Sequence, residues 1–188
     1  MLASDIPKEL VYEEVGSRPI YYKNYHKVLL QQATLEEIMG SSESQAIVIS
    51  AILRHLYRHM NDTNYWIATN ELGVHLGHNI NRSVDIAIFA RRQYKPQLAN
   101  YQYMTSPSLV AIEVDIRADL SDYPSPQDYY REKARDLQQF GVQKIIWIST
   151  AAKTVMLNDS LSHQSWFEAV EILPDMPPVS IGRVVNIF

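Results

Sequence analysis

The order of the apolar segments after residue 84 is the strongest constraint on the fold of this chain. Two strand-like runs, Ser83–Ala90 and Leu109–Ile116, come before an amphipathic helix over Pro126–Phe140, and an apolar strand over Val142–Ser149 follows it. Strands that alternate with a helix in this way are typical of an α/β core with a mixed sheet. The Leu109–Ile116 run is apolar on both faces, which indicates a central, covered strand.

The first third of the chain predicts a hairpin followed by two helices. Strand-like residues 9–13 and 19–22 flank a Gly16-Ser17 turn. Capping-box patterns begin at Thr34 and at Ser42, and the second opens a long helix that ends near residues 61–62. The remaining predicted segments are strands at 65–68, 73–76, 153–157 and 166–172, with a polar connection over 91–107.

Length and composition predict one folded domain. The chain has 188 residues, of which 46% are hydrophobic and 20% are charged, so it can bury a sizeable core. We expect residues 1–188 to form a single restriction-endonuclease-like domain, with residues 1–33 as an N-terminal hairpin extension. The lack of cysteine excludes disulfides, thiolate zinc sites and cysteine nucleophiles.

Charge and hydropathy narrow the function classes. A net charge of −4 argues against a generic nucleic-acid coat protein but not against a nuclease, because acidic metal ligands lower the net charge. No apolar run approaches the ~18 residues of a membrane span, and the first residues lack the features of a signal peptide. We therefore expect a cytoplasmic protein that does not bind membranes, and a homodimer is compatible with the sequence.

Three carboxylates interrupt the two apolar runs: Asp85, Glu113 and Asp115. Buried charges are costly, so they are usually paired, bound to metal or functional. Strand alternation puts Glu113 and Asp115 on one face and Asp85 on the face of Ala87 and Phe89. If the strands are neighbours, Asp85 and Glu113 converge and can bind Mg²⁺ or Mn²⁺. The alternative for each acid is a structural residue, either salt-bridged or at the end of a strand.

Lys133 is the one charged residue on the apolar face of the 126–140 helix. At ~100° per residue it falls between Phe140 and Leu137 on a helical wheel. Its amine either extends past the apolar surface to water or meets Glu113 or Asp115 and offsets their desolvation. Beside a metal, a lysine can position or deprotonate a water molecule and stabilise negative charge.

Several of these segments together resemble the Uma-two family of restriction-endonuclease-like proteins, within the PD-(D/E)XK nuclease superfamily. The resemblance covers most of the chain, and the order and spacing of its pieces carry it. The pieces are Tyr12-Glu13-Glu14 with Pro19-Ile20-Tyr21-Tyr22, Ile38–Ser42 leading into Gln45, Ser83–Ala87, Val110–Asp115, and Lys133 followed by Phe140–Ile148.

The resemblance implies a restriction-endonuclease-like fold, a Mg²⁺-dependent site and a nucleic-acid substrate, DNA in the first instance. It implies Asp85, Glu113, Lys133 and Gln45 as catalytic residues and Asp85, Glu113 and Asp115 as metal ligands. Asp115 stands where the superfamily motif has its lysine, and the Uma-two pattern carries that lysine on the next helix, as Lys133. Val84 replaces the proline that precedes the first motif aspartate.

Two hypotheses compete with a nuclease. The first is a catalytically inactive module of the same fold that binds or assembles with a partner, and the second is a buried ion-pair network without a metal. Elsewhere, His55 and His59 share a helix face and form a weak candidate metal pair. A cationic and aromatic segment could contact a nucleic-acid backbone; its residues are Arg91, Arg92, Tyr94, Lys95, Tyr101 and Tyr103.

Overall fold

A mixed β-sheet with helices on both faces forms the molecule. The computed structural model describes residues 6–16, 18–94, 102–158 and 162–186. Within these ranges the strands follow the order β2-β1-β4-β5-β6-β7-β8, and β3 pairs with β4. Among the strand pairs of the described residues, β5 and β6 pair in parallel and the others are antiparallel. The strands are β1 (Val11–Val15), β2 (Arg18–Tyr21), β3 (Tyr65–Gly77), β4 (Ile80–Ala90), β5 (Val110–Val114), β6 (Lys144–Ser149), β7 (Thr154–Leu157) and β8 (Gln164–Ser165).

Five α-helices accompany the sheet in the described parts of the chain. They are α1 (Tyr25–Leu29), α2 (Leu35–Met39), α3 (Glu43–His59), α4 (Pro126–Phe140) and α5 (Ile181–Val185). The predicted capping box is present at Thr34, and Ser42 Oγ accepts a hydrogen bond from the Gln45 backbone N–H. None of the described helices is long and apolar enough to cross a membrane.

The sheet separates two apolar cores. On one face, Ile52 and Leu56 of α3 pack against residues such as Ile86 and Ile112. On the other face, residues of α4 such as Leu137 pack against the opposite sides of the same strands. This arrangement confirms the predicted α/β class with a mixed sheet, helices on its faces and an N-terminal hairpin. The hairpin extends the sheet, because β1 pairs with β4.

Strand β4 changes face at Asp85. Val84 packs in the α4-side core, whereas Ile86 packs in the α3-side core, although regular alternation would put both residues on the same face. At this point the register of β3 shifts, and Asn70 and Glu71 adopt left-handed backbone conformations with φ of 73° and 52°. Asp85 therefore lies at a bulge, not on the face predicted from Ala87 and Phe89.

Two secondary-structure predictions are wrong. The strands predicted at 65–68 and 73–76 are parts of one long strand, β3. The strand predicted over 166–172 is absent; the last strand covers only Gln164–Ser165. Trp166, Val170 and Ile172 fill the α3-side core from an irregular segment, so their apolar pattern reflects burial and not a hydrogen-bonded ladder.

The amphipathic helix begins and ends close to its predicted boundaries. Pro126 occupies its first turn, and Gly141, with φ of 115°, ends it in the left-handed conformation that favours glycine. Ser125 does not cap the helix as predicted. Its hydroxyl instead donates to Asp128 Oδ2 at 2.8 Å, and no side-chain bond to the backbone forms there.

Candidate active site

Lys133 lies at the centre of a buried charge cluster between α4 and the sheet. Its side chain is 1% exposed, so the amine does not extend past the apolar surface to water. Lys133 Nζ is 2.8 Å from Glu13 Oε1 and 2.9 Å from Glu113 Oε1. The helical wheel thus identified the right residue and one of its partners, and one positive charge is shared by two carboxylates.

Glu13 and Arg82 also belong to this cluster, and the sequence pattern does not indicate either of them. Besides Lys133, Glu13 contacts Arg82 Nη1 at 2.8 Å and accepts a hydrogen bond from the Tyr129 hydroxyl at 3.0 Å and from the Ser83 backbone N–H at 3.1 Å. Burial alone raises the pKa of Glu13, but the positive charges of Lys133 and Arg82 prevail and lower it to about 2. Glu13 is therefore a carboxylate at neutral pH.

A weak signal for Glu13 exists in the sequence. It lies in the predicted first strand and in one of the segments that carry the family resemblance. Its pairing with Arg82, however, depends on the contact of the hairpin with β4, which joins residues 69 positions apart. No local pattern reports such a contact.

Fewer favourable contacts offset the burial of the Glu113 carboxyl group than that of Glu13. It lies in β5, whose five residues are all buried. Burial, together with the charge of Asp85, raises its pKa to about 8, and Lys133 only partly opposes this rise. Its Oε1 lies near the Lys133 amine but makes no aligned hydrogen bond in the described structure. Glu113 is thus a buried acid that a further cation would stabilise as a carboxylate.

Asp85 neighbours Glu113 at the end of the β4–β5 ladder. The ladder pairs Ile86 with Ile112, so Asp85 and Glu113 are the next residues along the two strands. Asp85 Oδ2 accepts a hydrogen bond from the Val114 backbone N–H at 2.7 Å. Burial raises its pKa, and the Val114 bond and Lys133 oppose this rise. The strands are neighbours, as the predicted convergence requires.

Gln45 contacts Asp85 from the α3 side of the sheet. It is buried in the first turn of α3, and its Nε2 lies 3.4 Å from Asp85 Oδ1. The Ser42 cap fixes the start of the helix, and the face change of β4 turns Asp85 towards α3. The structure therefore brings Gln45, Asp85, Glu113 and Lys133 into one region.

Asp115 does not share the face of Glu113. Strand β5 ends at Val114, and Asp115 adopts a left-handed conformation with φ of 58°, so the alternation that predicted a common face stops there. Its carboxylate accepts hydrogen bonds from the Thr150 backbone N–H at 2.8 Å and from the Thr150 hydroxyl at 2.7 Å. Asp115 ties the end of β5 to the end of β6.

An open cleft of about 540 Å³ lies beside Asp85. Residues of α3 form one wall, including Ala46 and Ser50, and the Asn70-Glu71 bulge and Arg117 lie across from them. Asp85 thus lines this cleft, whereas Glu113 and Lys133 do not.

The residues present fit Mg²⁺ or Mn²⁺ as a two-carboxylate site. Across the described ranges, no group of three or more histidine, cysteine, aspartate and glutamate side chains could hold a metal ion. Mg²⁺, however, keeps several waters and is often held by one or two carboxylates with substrate phosphate oxygens. Asp85 and Glu113 supply two hard oxygen donors whose pKa values are raised chiefly by burial, and Asp85 lines the cleft.

The other predicted clusters do not assemble in this way. The rings of His55 and His59 lie 4.6 Å apart, without a third ligand among the described residues. Arg91 donates to the carbonyls of Asp62 and Tyr65, and Tyr94 stacks on Trp66. Both have structural roles, and Lys95 and Tyr101 of the same segment lie outside the described residues.

Comparison with known proteins supports the fold. Neither a protein-family model nor a curated protein matches the sequence. Among solved structures, the chain is similar to a protein from Anabaena variabilis described as a "putative nuclease belonging to DUF820", with a TM-score of 0.62 and 13% sequence identity. The similarity covers 93% of this chain and 89% of that one. At this identity it shows the fold alone, which is the nuclease-like α/β fold expected from the sequence.

Proposed function

We propose that this protein is a Mg²⁺-dependent endonuclease that hydrolyses phosphodiester bonds in DNA, and that it is a Uma-two-like member of the PD-(D/E)XK superfamily. The observation that carries the proposal is the buried Lys133–Glu113 pair, which lies next to Asp85 at the inner end of an open cleft. Two strand carboxylates can hold a hard divalent cation together with substrate phosphate oxygens, and a cation on a neighbouring helix can stabilise developing negative charge.

Asp85 and Glu113 would hold the cation, which would polarise the scissile phosphate and lower the pKa of a bound water. Gln45 keeps the Asp85 carboxylate oriented through its amide, and the Val114 backbone N–H fixes the other oxygen. These contacts hold the carboxylate in place before substrate arrives, which reduces the cost of assembling the site.

Lys133 acts as a permanent cation. Burial alone lowers its pKa, but the charges of Glu113 and Glu13 raise it well above its ordinary value. A lysine held in the protonated form cannot accept a proton from water at neutral pH. Its role is therefore to stabilise the negative charge that develops on the phosphate.

A second candidate is a catalytically inactive module of the same fold. Two observations favour it: Lys133 is already shared by Glu13 and Glu113, and Asp115 is engaged by Thr150 instead of facing the site. In this reading the acids and the lysine form a structural ion-pair network, and the cleft binds a partner without cleaving it.

A cleavage assay separates the two candidates. Linear and supercoiled DNA is incubated with purified protein in Mg²⁺, Mn²⁺ or EDTA, and the variants Asp85→Asn and Glu113→Gln are compared with the exposed control Asp122→Asn. We expect metal-dependent cleavage by the wild type and the control, and loss of at least a hundredfold in both site variants. Equal cleavage by Asp85→Asn and wild type contradicts the nuclease mechanism.

A further inference from the structure

Arg117 is a partly pre-organised guanidinium at the cleft beside Asp85. It follows the Asp115 turn, and the Lys23 backbone N–H donates to its carbonyl at 2.6 Å. Its guanidinium carbon lies 5.5 Å from the centre of the Tyr22 ring. The backbone and the stacking contact together hold the side chain against the cleft.

The hydrogen-bonding capacity of Arg117 is not used up. Its side chain is 10% exposed, and Nη1 forms an ion pair with Glu71 Oε1. Nη2 is buried and has no hydrogen-bond partner among the residues that the structure describes. A buried donor without an acceptor is costly, and Arg117 lines the open cleft, so a small rotation of the side chain makes this N–H group available to a ligand with acceptor oxygens.

Glu71 comes from the strained bulge opposite Asp85. Both Asn70 and Glu71 have left-handed backbones, a conformation that costs free energy for residues other than glycine and often occurs at functional sites. The bulge directs Glu71 to Arg117 at the edge of the same cleft that Asp85 borders. Its side chain is 31% exposed, so it can leave Arg117 without disrupting the core.

We infer that Arg117 binds a backbone phosphate of the substrate, next to the phosphate that is cleaved. When substrate is absent, Glu71 forms an ion pair with Arg117 in place of this phosphate. The inference rests on the proposed function for its substrate class, a phosphodiester backbone. A guanidinium matches phosphate as well as carboxylate, because its parallel N–H groups donate to two oxygens at once. A phosphate therefore displaces Glu71 and also satisfies Nη2.

The test measures binding without cleavage. A short fluorescein-labelled DNA duplex is titrated with protein in EDTA and followed by fluorescence anisotropy at several salt concentrations. Compared with wild type, Arg117→Met is expected to bind about tenfold more weakly and to reduce the salt slope by about one. Arg117→Lys keeps the charge and loses the paired donors, so it is expected to show an intermediate affinity.

Glu71→Gln is expected to bind DNA more tightly than wild type, a result that misfolding cannot produce. It removes the competing carboxylate, so DNA binding is expected to tighten severalfold relative to wild type. Arg135→Met, on the exposed side of α4, is the matched control and is expected to bind like wild type. The same titration with single-stranded RNA shows which backbone the cleft prefers.

Each result decides the inference. An unchanged salt slope in Arg117→Met, an unchanged affinity in Glu71→Gln, or no binding of either nucleic acid by wild type overturns it. Asp85→Asn separates it from the proposed function, because this variant is expected to lose cleavage but to keep binding in EDTA. Cleavage that survives in Asp85→Asn, together with weak binding by Arg117→Met, contradicts the proposed mechanism and leaves the inference standing.

Discussion

Lys133 is the cation that two buried acids, Glu13 and Glu113, share. Replacing it by methionine leaves Glu13 and Glu113 without their shared cation. Loss of one partner from a buried ion pair costs about 3–5 kcal/mol, so we expect Lys133→Met to lower the free energy of unfolding at pH 7 by about that amount. Urea unfolding measures it, with the exposed Lys27→Met as control. A loss similar to that of the control contradicts the buried pair.

Glu13 gives the protein a specific pH dependence. Its folded-state pKa of about 2 lies below the ordinary value of 4.5, so its charge contributes stability that is fully present above about pH 5 and is lost as the pH falls towards 2. Glu13→Gln lacks this contribution. We expect the stability difference between wild type and Glu13→Gln to be large at pH 7 and to shrink as pH falls from 5 to 3, measured by urea unfolding. A difference that stays constant with pH contradicts this assignment.

Much of the candidate site can be predicted from the sequence patterns around single residues. Asp85 and Glu113 were found because each carboxylate interrupts an apolar run, and Lys133 because the helical period places it among core residues. Glu13 and Arg82 were missed because their contact depends on how the hairpin docks on β4. A pattern within one segment cannot report a partner in another.

At the scale of elements, strand ends decide which acid faces the site. Alternation predicts side-chain direction only while the backbone stays extended. It fails at Asp115 because β5 ends at Val114, and at Asp85 because the Asn70-Glu71 bulge makes β4 change face. Asparagine and aspartate are enriched in left-handed conformations but occur mostly in other conformations, so their presence alone could not predict either turn.

The Asp115 turn predicts a difference between two substitutions. Asp115→Ala removes both hydrogen bonds to Thr150 and puts alanine at a positive φ, so we expect a loss of about 2–3 kcal/mol in unfolding free energy. Asparagine adopts a positive φ more readily than alanine and keeps one acceptor oxygen, so we expect Asp115→Asn to lose less unfolding free energy than Asp115→Ala. Urea unfolding measures both.

Metal titration of Asp115→Ala and Asp115→Asn tests the ligand role that the sequence predicts for Asp115. A structural role leaves Mn²⁺ affinity in Asp115→Asn close to that of wild type. If this variant unfolds like wild type but no longer binds Mn²⁺ in calorimetry, Asp115 is a ligand, and the structural account of the turn is incomplete.

At the scale of the whole molecule, the site is assembled from five elements of the chain. The hairpin supplies Glu13, α3 supplies Gln45, adjacent strands supply Asp85 and Glu113, and α4 supplies Lys133. The fold class was predictable because the order of apolar segments dictates an α/β sheet. The cleft was not, because it depends on the bulge in β3 and on the path of the chain after β5.

The central claim is that Asp85 and Glu113 together bind one divalent cation beside Lys133. Crystals soaked in Mn²⁺ and measured for anomalous scattering test this claim most directly. The account predicts one anomalous peak in contact with oxygens of both carboxylates, at about 2.1 Å, and no such peak in Glu113→Gln crystals. A peak elsewhere, or none in wild-type crystals with the Lys133–Glu113 pair intact, contradicts the claim and favours a purely structural ion-pair network.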